Sequence, residues 1–432
     1  MPTIHQSPLV PDHHSPQHPR APANMLETCP ELLLEILDVL AVPLASPLTD
    51  NFPDCAALLS CSLVCKCWST PSQRLLFRWV VIDDLWAGSM FSIPKRSCQP
   101  ITSFLETITA DTEKSRWLWR NVLSIVLRPY ASEKPSTLLA ILINLPNLRE
   151  LDIIGIACMF SDEELLQLRN LGPSVRSLRV NSDHAGAVTS MRPPAWPAVI
   201  RLIKAIPTVR MLDITANTFQ AFPPMPELTP PLGLGLLSFK FSSKWVANMG
   251  PFVASLVGGR TDYETLQIFS QTQSKIPADL HDIISAHAPH LCSLVVQGQL
   301  KDSGVLNLGT HLERFECETI PSDELVAAIL RTIQALAVTN TTPDPALVAR
   351  VRRPLGSAAP PSYISAAYLT EQLGSFPSLR VFRWMGSTAH PGFAAFRERC
   401  SSLGIELRSN SAKVDLSDDE VQFSSRRRVL QL

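Results

Sequence analysis

Three stretches of sequence decide the fold: NLPNLRELDI at 144–153, AIPTVRMLDI at 205–214 and SFPSLRVFRW at 375–384. In each, a proline and one further residue precede the pattern apolar-x-x-apolar-x-apolar. Alternation of apolar and variable residues at the end of this pattern indicates a short β-strand with one buried face. A proline just before the strand favours a tight turn. The sequence therefore predicts a recurring unit made of a turn and a short strand.

The same apolar pattern occurs ten times after Ala110. Intervals between first residues include 26 (148 − 122), 27 (175 − 148), 29 (263 − 234) and 21 (333 − 312), close to the roughly 20–29 residue period of leucine-rich repeats. One interval is 34 (209 − 175), and residues 341–361 are interpreted as an exposed excursion, so the array is irregular. An ordinary α/β domain is the alternative. The copies begin at Val122, Leu148, Val175, Val209, Leu234, Tyr263, Leu291, Leu312, Ile333 and Leu379.

Helical stretches separate the predicted strands. In SDEELLQLRNLG at 161–172, Ser161 and Glu164 have the spacing of a capping box. A unit of one strand and one helix cannot bury its apolar face alone, whereas stacked units share a continuous core. We therefore expect an α/β chain, with an irregular leucine-rich repeat solenoid that has a parallel sheet on its concave face.

A different, densely apolar segment precedes the repeats, from Met25 to about Ile82. Pro30 and Glu31 suit the first turn of a helix. Asp54 is a plausible cap for a second helix that ends near Trp68, and Pro71 can open a third. A short strand is expected at 80–82. Leu33, Ile36, Leu37 and Leu40 recur at helical spacing in the first helix. The predicted buried positions are Ala57, Leu58, Cys61, Val64 and Cys65 in the second helix and Leu75, Leu76 and Phe77 in the third.

The blocks CPELLLEIL (29–37), LLSCSLVCKCW (58–68) and PSQRLLFRWVVI (71–82) together resemble an F-box. The resemblance is to the F-box-like domain common in mushroom-forming fungi, although the usual opening Leu-Pro pair is Thr28-Cys29 here. It implies a three-helix bundle that docks on a Skp-type adaptor and through it on a cullin-RING ubiquitin ligase. The repeats would then bind a protein substrate, and catalysis would belong to other subunits.

Two sets of candidate contact residues follow. The first set would face the adaptor, the alternative being that its apolar members form the core of the bundle. The second set occupies alternating strand positions, which would face a protein partner or simply be solvated. The adaptor set is Pro30, Glu31, Leu32, Leu33, Ile36, Leu63, Val64 and Trp68. The partner set is Glu150, Asp152, Arg179, Asp213, Lys240, Gln267, Glu316 and Arg383.

Composition restricts the possible classes of function. The 432 residues carry a formal net charge of −1, which argues against binding nucleic acid or an anionic membrane through charge alone. No signal peptide or apolar stretch long enough to cross a bilayer is expected, so the predicted location is intracellular, cytoplasmic or nuclear, with reduced cysteines. The expected organisation is a disordered arm at 1–24, an F-box-like domain at 25–82, a connector at 83–112, a repeat array at 113–408 and a disordered tail at 409–432.

Motifs for catalysis or for metal binding are weak. Cys61, Cys65 and Cys67 lack the spacing of a zinc site, so helix-core cysteines are the preferred interpretation. His287 and His290, with His281 nearby, are interpreted as the polar face of an exposed helix. We therefore expect no metal, no cofactor and no enzyme activity. Two alternatives remain: a non-ligase repeat scaffold capped by the F-box-like bundle, and a hydrolase or transferase with an unrecognised site.

Overall fold

A computed structural model describes two compact units of the chain, each considered by itself. The front unit comprises Leu33, Ile36, Leu37 and residues 55–76, and the sheet unit comprises the described residues from 77 onward. None of the helices among these residues is long and apolar enough to cross a membrane. The described residues are 33, 36–37, 55–83, 101–128, 134–154, 160–181, 196–216, 236–243, 253, 256, 265–270, 278–297, 308–309, 311–317, 333–338, 366–384 and 392–409.

The sheet unit contains one parallel sheet whose strands follow one another in chain order. Each strand pairs with the next strand of the sequence, and each such pair is parallel. The described strands are β1 (Trp79–Asp83), β2 (Ser124–Arg128), β3 (Glu150–Ile154), β4 (Ser177–Asn181), β5 (Met211–Ala216), β6 (Ser238–Ser243), β7 (Thr265–Ser270), β8 (Ser293–Gln297), β9 (Arg314–Cys317), β10 (Ala335–Val338), β11 (Val381–Trp384) and β12 (Glu406–Ser409).

Helices lie between several of these strands and return the chain to the edge where the next parallel strand begins. The predicted capping box is present: the Glu164 N–H donates to Ser161 Oγ at 3.2 Å, and the Ser161 N–H donates to Glu164 Oε2 at 2.8 Å. The described helices are α1 (Cys55–Ser62), α2 (Lys66–Arg78), α3 (Ile101–Thr109), α4 (Glu113–Asn121), α5 (Pro135–Ile143), α6 (Asp162–Leu171), α7 (Trp196–Ala205), α8 (Ala278–His287), α9 (Ala366–Gln372) and α10 (Phe393–Ser402).

The ten predicted copies of the apolar pattern coincide with β2 to β11, and the strand expected at 80–82 is β1. One copy was placed two residues too early. At β6 the buried positions are Leu236 and Phe239, because Phe239 pairs with Leu212 in the sheet register. The sheet extends beyond both ends of the repeat array predicted at 113–408. It includes β1, which precedes residue 113, and β12, which ends at Ser409.

The proline before the strand forms the same turn in all three stretches. The Leu148 N–H donates to the Leu145 carbonyl at 3.1 Å, and the corresponding distances are 3.3 Å from Val209 to Ile206 and 3.2 Å from Leu379 to Phe376. Each is an i to i+3 bond with proline at i+1, where its fixed φ suits a β-turn. The turn brings an apolar residue inward immediately before each strand.

A second backbone feature recurs where the strands begin. The N–H groups of Arg149 and Glu150 both donate to the Leu123 carbonyl, at 2.8 and 3.0 Å. Since this acceptor is the residue just before a strand, the bonds tie each unit to the one before it and fix the register. The same doubly bonded acceptor recurs at Arg149, Arg176, Arg210, Cys292 and Gln334.

Aromatic rings fill the core at the C-terminal end of the sheet. Trp384 is fully buried, and its ring centroid lies 5.3 Å from Phe393 and 5.1 Å from Phe396. Phe382 lies 4.8 Å from Phe396 in an edge-to-face contact. Gly404, with φ of 70°, ends α10 and turns the chain into β12. Burial of large rings of this kind makes a strong contribution to stability.

The front unit has a small core. Leu33, Leu37, Leu58 and Leu75 are buried together. The second helix was predicted to run from Asp54 to Trp68, but α1 ends at Ser62 and α2 begins at Lys66. Pro71 was therefore wrongly predicted to open a helix and lies inside α2. The break explains why Val64, predicted as buried, is exposed: it lies outside both helices.

Candidate interaction surfaces

The front unit exposes apolar side chains beside its small core. Leu63 is 79% exposed, Val64 65%, Leu59 55% and Ile36 40%. Leu59 lies on α1, and Leu63 and Val64 form the link to α2, closed by bonds from their N–H groups to carbonyls of α1 at 3.1 and 3.2 Å. Exposed apolar side chains concentrated in one short segment are typical of a surface that binds another molecule.

The adaptor set divides in the structure. Ile36, Leu63 and Val64 are exposed, whereas Trp68 is half-buried and packs against the small core. Leu33 is only 3% exposed and belongs to that core, so its side chain does not present a contact surface. It faces inward because it lies one helical turn from Leu37, which is also buried. Leu59, absent from the set, lies on the exposed side of α1. Pro30, Glu31 and Leu32 lie outside the described residues.

The sheet unit brings seven of the eight partner-set residues into one row across the strands. Strand pairing places Asp152 beside Arg179 and Arg179 beside Asp213, and the row continues through the other members in order. With neighbouring strands about 4.8 Å apart, the row follows eight strand intervals, or about 38 Å. Glu150 lies two residues away on the adjoining row. The full row from β3 to β12 is Asp152, Arg179, Asp213, Lys240, Gln267, Val295, Glu316, Ala337, Arg383 and Arg408.

An ion-pair cluster lies at the N-terminal end of this row. The Arg179 guanidinium donates from Nε to Asp213 Oδ2 at 3.1 Å and from NH1 to Asp152 Oδ2 at 3.3 Å. Burial lowers the pKa of Arg179, but Asp213 and Asp152 together outweigh this effect and raise the pKa above its usual range. Arg179 is therefore a fixed cation held between two carboxylates.

Two members of the partner set are buried, contrary to the expected solvent-facing row. Glu150 is 5% exposed and Glu316 is 2% exposed. Arg314, two residues from Glu316 on the same face of β9, donates from NH2 to Glu316 Oε2 at 3.4 Å and helps to cover it. Ser293 and Val295 of β8 are buried as well, so alternation does not imply exposure at this part of the sheet. The side chains of Lys240 and Gln267 lie outside the described part.

The C-terminal end of the row is basic and is more exposed than the buried positions on β8 and β9. Arg383 is half-buried, and its neighbour Arg408 on β12 bonds Glu406 at 2.8 and 3.2 Å. These hydrogen bonds hold the pKa of Glu406 below its usual range. The ten copies of the apolar pattern do not include this pair, although the alternation of Ile405, Glu406, Leu407 and Arg408 is a signal for one more strand.

The histidine and cysteine interpretations need correction. His287 is buried at 7% exposure, not on an exposed polar face, and burial, with His290 nearby, lowers its pKa. Cys67 is exposed and Cys65 is half-buried, so they are not core cysteines. Cys65 lies in the link between α1 and α2, Cys67 lies in the first turn of α2, and neither belongs to the leucine core. Within the described ranges, His, Cys, Asp and Glu side chains do not form a group of three or more that could hold a metal.

No known family matches the chain, and no curated protein matches it. Among solved structures it is similar to yeast Rad7 in a complex with Elc1, at 14% identity and a TM-score of 0.35, over 85% of this chain and 91% of that one. It is also similar to TLR13 in a complex with ssRNA13, at 14% identity and a TM-score of 0.33, over 63% of this chain. The match spans about a third, 34%, of the TLR13 chain.

Proposed function

We propose that this protein is a substrate receptor of a Skp–cullin–F-box ubiquitin ligase. In this proposal the front unit is an F-box-like three-helix bundle that docks on a Skp-type adaptor. The sheet unit is an irregular leucine-rich repeat solenoid that binds a protein substrate. The chain itself carries no catalytic step, because ubiquitin transfer belongs to other subunits.

The observation that carries the proposal is the exposure of Leu63, Val64 and Ile36 within the segments that resemble an F-box. Among the described residues of the front unit, four leucines form the buried core, and these exposed side chains are not part of that core. Apolar surface left in water by a small helical unit favours association with a partner, commonly by packing of a helix into a groove.

The sheet unit supports the second half of the proposal. Its row of polar side chains alternates in charge at Asp152, Arg179 and Asp213 and becomes basic at Arg383 and Arg408. Charges of both signs on one surface suit recognition of a protein with complementary charges better than recognition of a uniformly negative nucleic-acid backbone.

A pull-down with charged variants tests the adaptor surface. The full-length double variant Ile36→Asp with Leu63→Asp is expected to recover a Skp-type adaptor at least about tenfold less well than the unaltered protein, because a buried interface cannot solvate the new charges. Leu33 is excluded from this variant because a charge there would unfold the core.

A matched control is available on α6. Leu166 and Leu171 are 58% and 64% exposed in the sheet unit, so Leu166→Asp with Leu171→Asp adds the same charge to other exposed leucines. This control should recover the adaptor normally. Full recovery by the Ile36 and Leu63 variant, with an unchanged melting temperature, would refute the assignment of the surface.

The alternative function, a repeat scaffold capped by the front unit, predicts a different result from a deletion. Removing 25–76 keeps β1, which begins at Trp79 and pairs with β2. A receptor should stay soluble after this deletion and lose only the adaptor. Precipitation of the remaining chain would favour the scaffold.

A further inference from the structure

Two cysteines that no part of the proposed function uses lie where α2 begins: Cys65 ends the link from α1, and Cys67 is in the first turn of α2. Cys65 Sγ lies 2.9 Å from Cys67 Sγ, with Lys66 between the two residues. A disulfide joins sulfurs at about 2.05 Å. Closure therefore requires the two atoms to approach each other by less than about 1 Å. We propose that Cys65 and Cys67 form a reversible disulfide that responds to oxidised glutathione or a similar disulfide.

The backbone around the pair forms the start of α2. The Ser69 N–H donates to the Cys65 carbonyl at 3.0 Å, so Cys65 provides the first acceptor of α2. Pro71 has no N–H and cannot donate the regular i+4 hydrogen bond of the helix to the Cys67 carbonyl. A bond between the two cysteines therefore spans only the first turn of the helix.

Cys65 and Cys67 are more accessible to reagents than Cys400 is. Cys67 is exposed and Cys65 is half-buried, so reagents in solution reach the pair. The pair also lies at the amino end of α2, where the helix dipole favours negative charge and hence the reactive thiolate. Cys400, by contrast, is buried, and burial raises the pKa of its thiol to about 11.

The reaction is a two-step thiol–disulfide exchange. The Cys67 thiolate attacks one sulfur of oxidised glutathione, which forms a mixed disulfide and releases one glutathione thiolate. The Cys65 thiolate then attacks the Cys67 sulfur and releases the second glutathione thiolate. The two protein thiols lose two electrons to the glutathione disulfide, and their two protons pass to the released glutathione. Exposed disulfides have the more oxidising potentials typical of reversible bonds, so reduced glutathione or dithiothreitol should reverse the reaction.

Lys66 makes the bond directly detectable, because trypsin cleaves after lysine. Digestion separates fragment 21–66 from fragment 67–74, and the second contains Cys67 as its single cysteine. The full-length protein is reduced, treated with oxidised glutathione, blocked with N-ethylmaleimide, digested and weighed by mass spectrometry. More than half of fragment 67–74 should be linked to 21–66, and dithiothreitol should release it.

Two variants assign the partner of Cys67. Besides Cys65, fragment 21–66 contains Cys29, Cys55 and Cys61, and Cys61 is half-buried in the front unit. The link should disappear in Cys65→Ser and persist in Cys61→Ser. An unlinked, alkylated fragment 67–74 in the oxidised wild type would overturn the proposal, and so would a link that survives in Cys65→Ser.

A consequence for binding rests on the proposed function. The exposed Leu63 and Val64 directly precede Cys65, so closing the bond alters the segment that presents them. Oxidised protein should recover less Skp-type adaptor than reduced protein, and Cys65→Ser should recover equal amounts in both states. Equal recovery by the wild type with the bond formed would overturn this regulation. Absence of recovery from reduced protein would instead count against the proposed function, and the fragment masses would still decide the disulfide.

Discussion

The front unit and the sheet unit differ in how their apolar residues are used. Four leucines make up the buried core of the described front unit, and several equally apolar side chains of that unit are in water. In the sheet unit, apolar residues at equivalent positions of successive strands are buried in one extended core. The difference shows that apolar side chains in a short helical segment can remain exposed to solvent. Apolar side chains at equivalent positions of successive strands are instead buried, because neighbouring units pack on one another.

The largest expected effect concerns the aromatic end of the sheet unit. Phe396→Ala removes a ring that contacts Phe382 and Trp384, and it should lower the free energy of unfolding by about 3–5 kcal/mol. Chemical denaturation measures the loss. The neighbouring exposed Arg397→Ala is the control and should change stability by less than about 0.5 kcal/mol. Similar losses in the two variants would show that the cluster of aromatic rings is not a main contributor to the stability of the sheet unit.

The second prediction tests the small core of the front unit. Leu58→Ala should cost about 2–5 kcal/mol, and because Leu58 packs in a core separate from that of the sheet unit, the effect should be local. Hydrogen exchange should accelerate at 55–76 and remain slow in β3 and β4. Leu59→Ala, on the same helix but 55% exposed, should leave exchange in both units unchanged. Acceleration throughout the sheet would contradict the independence of the two cores.

The third prediction compares a half-buried ion-pair cluster with an exposed pair. Arg179→Met leaves Asp152 and Asp213 without the cation between them and should cost about 1–2 kcal/mol, since partial exposure reduces the penalty expected for a buried pair. Arg116→Met breaks a more exposed 3.7 Å pair with Asp111 and should cost less than about 0.5 kcal/mol. If chemical denaturation gives equal losses of stability for the two variants, the ion pairs of Arg179 do not stabilise the sheet unit more than an exposed pair does.

The smallest effect is a dependence of stability on pH. His287 titrates near 6.5 when unfolded, and burial lowers its pKa in the folded chain. Between those two values the unfolded chain binds more protons, so the free energy of unfolding is at its full value above pH 6.5 and falls as the pH decreases below it. His287→Gln should weaken this dependence in denaturation midpoints at pH 7.5 and 5.5, whereas the exposed His311→Gln should not. If the pH dependence of stability is the same in His287→Gln as in the unaltered protein, His287 is not the group responsible for it.

Local sequence predicted the turns and strands of the sheet unit well because their signals act over a few residues. Pro146, Pro207 and Pro377 fix a turn, the alternation that follows fixes a strand, and Ser161 with Glu164 fixes a helix start. The sequence signals were weaker at β6 and β12. At β6 the run LGLGLLSFKF at 232–241 offers several apolar registers, and pairing of Phe239 with Leu212 selects one of them.

The chain's sequence alone determined the proline turns, the order of strands β1 to β11 and most of the apolar positions that face the core of the sheet unit, because these follow from backbone geometry and spacing. Tertiary structure decided which candidate contact residues are accessible. Leu33 and Leu63 are both leucines of the front segment, yet one is 3% and the other 79% exposed. Burial of Glu316, the cluster around Arg179 and the approach of Cys65 to Cys67 likewise depend on atoms that meet only when the chain is folded. The exposure of a side chain depends on all the residues that surround it in the folded chain, and the local sequence pattern identifies only a few of those residues.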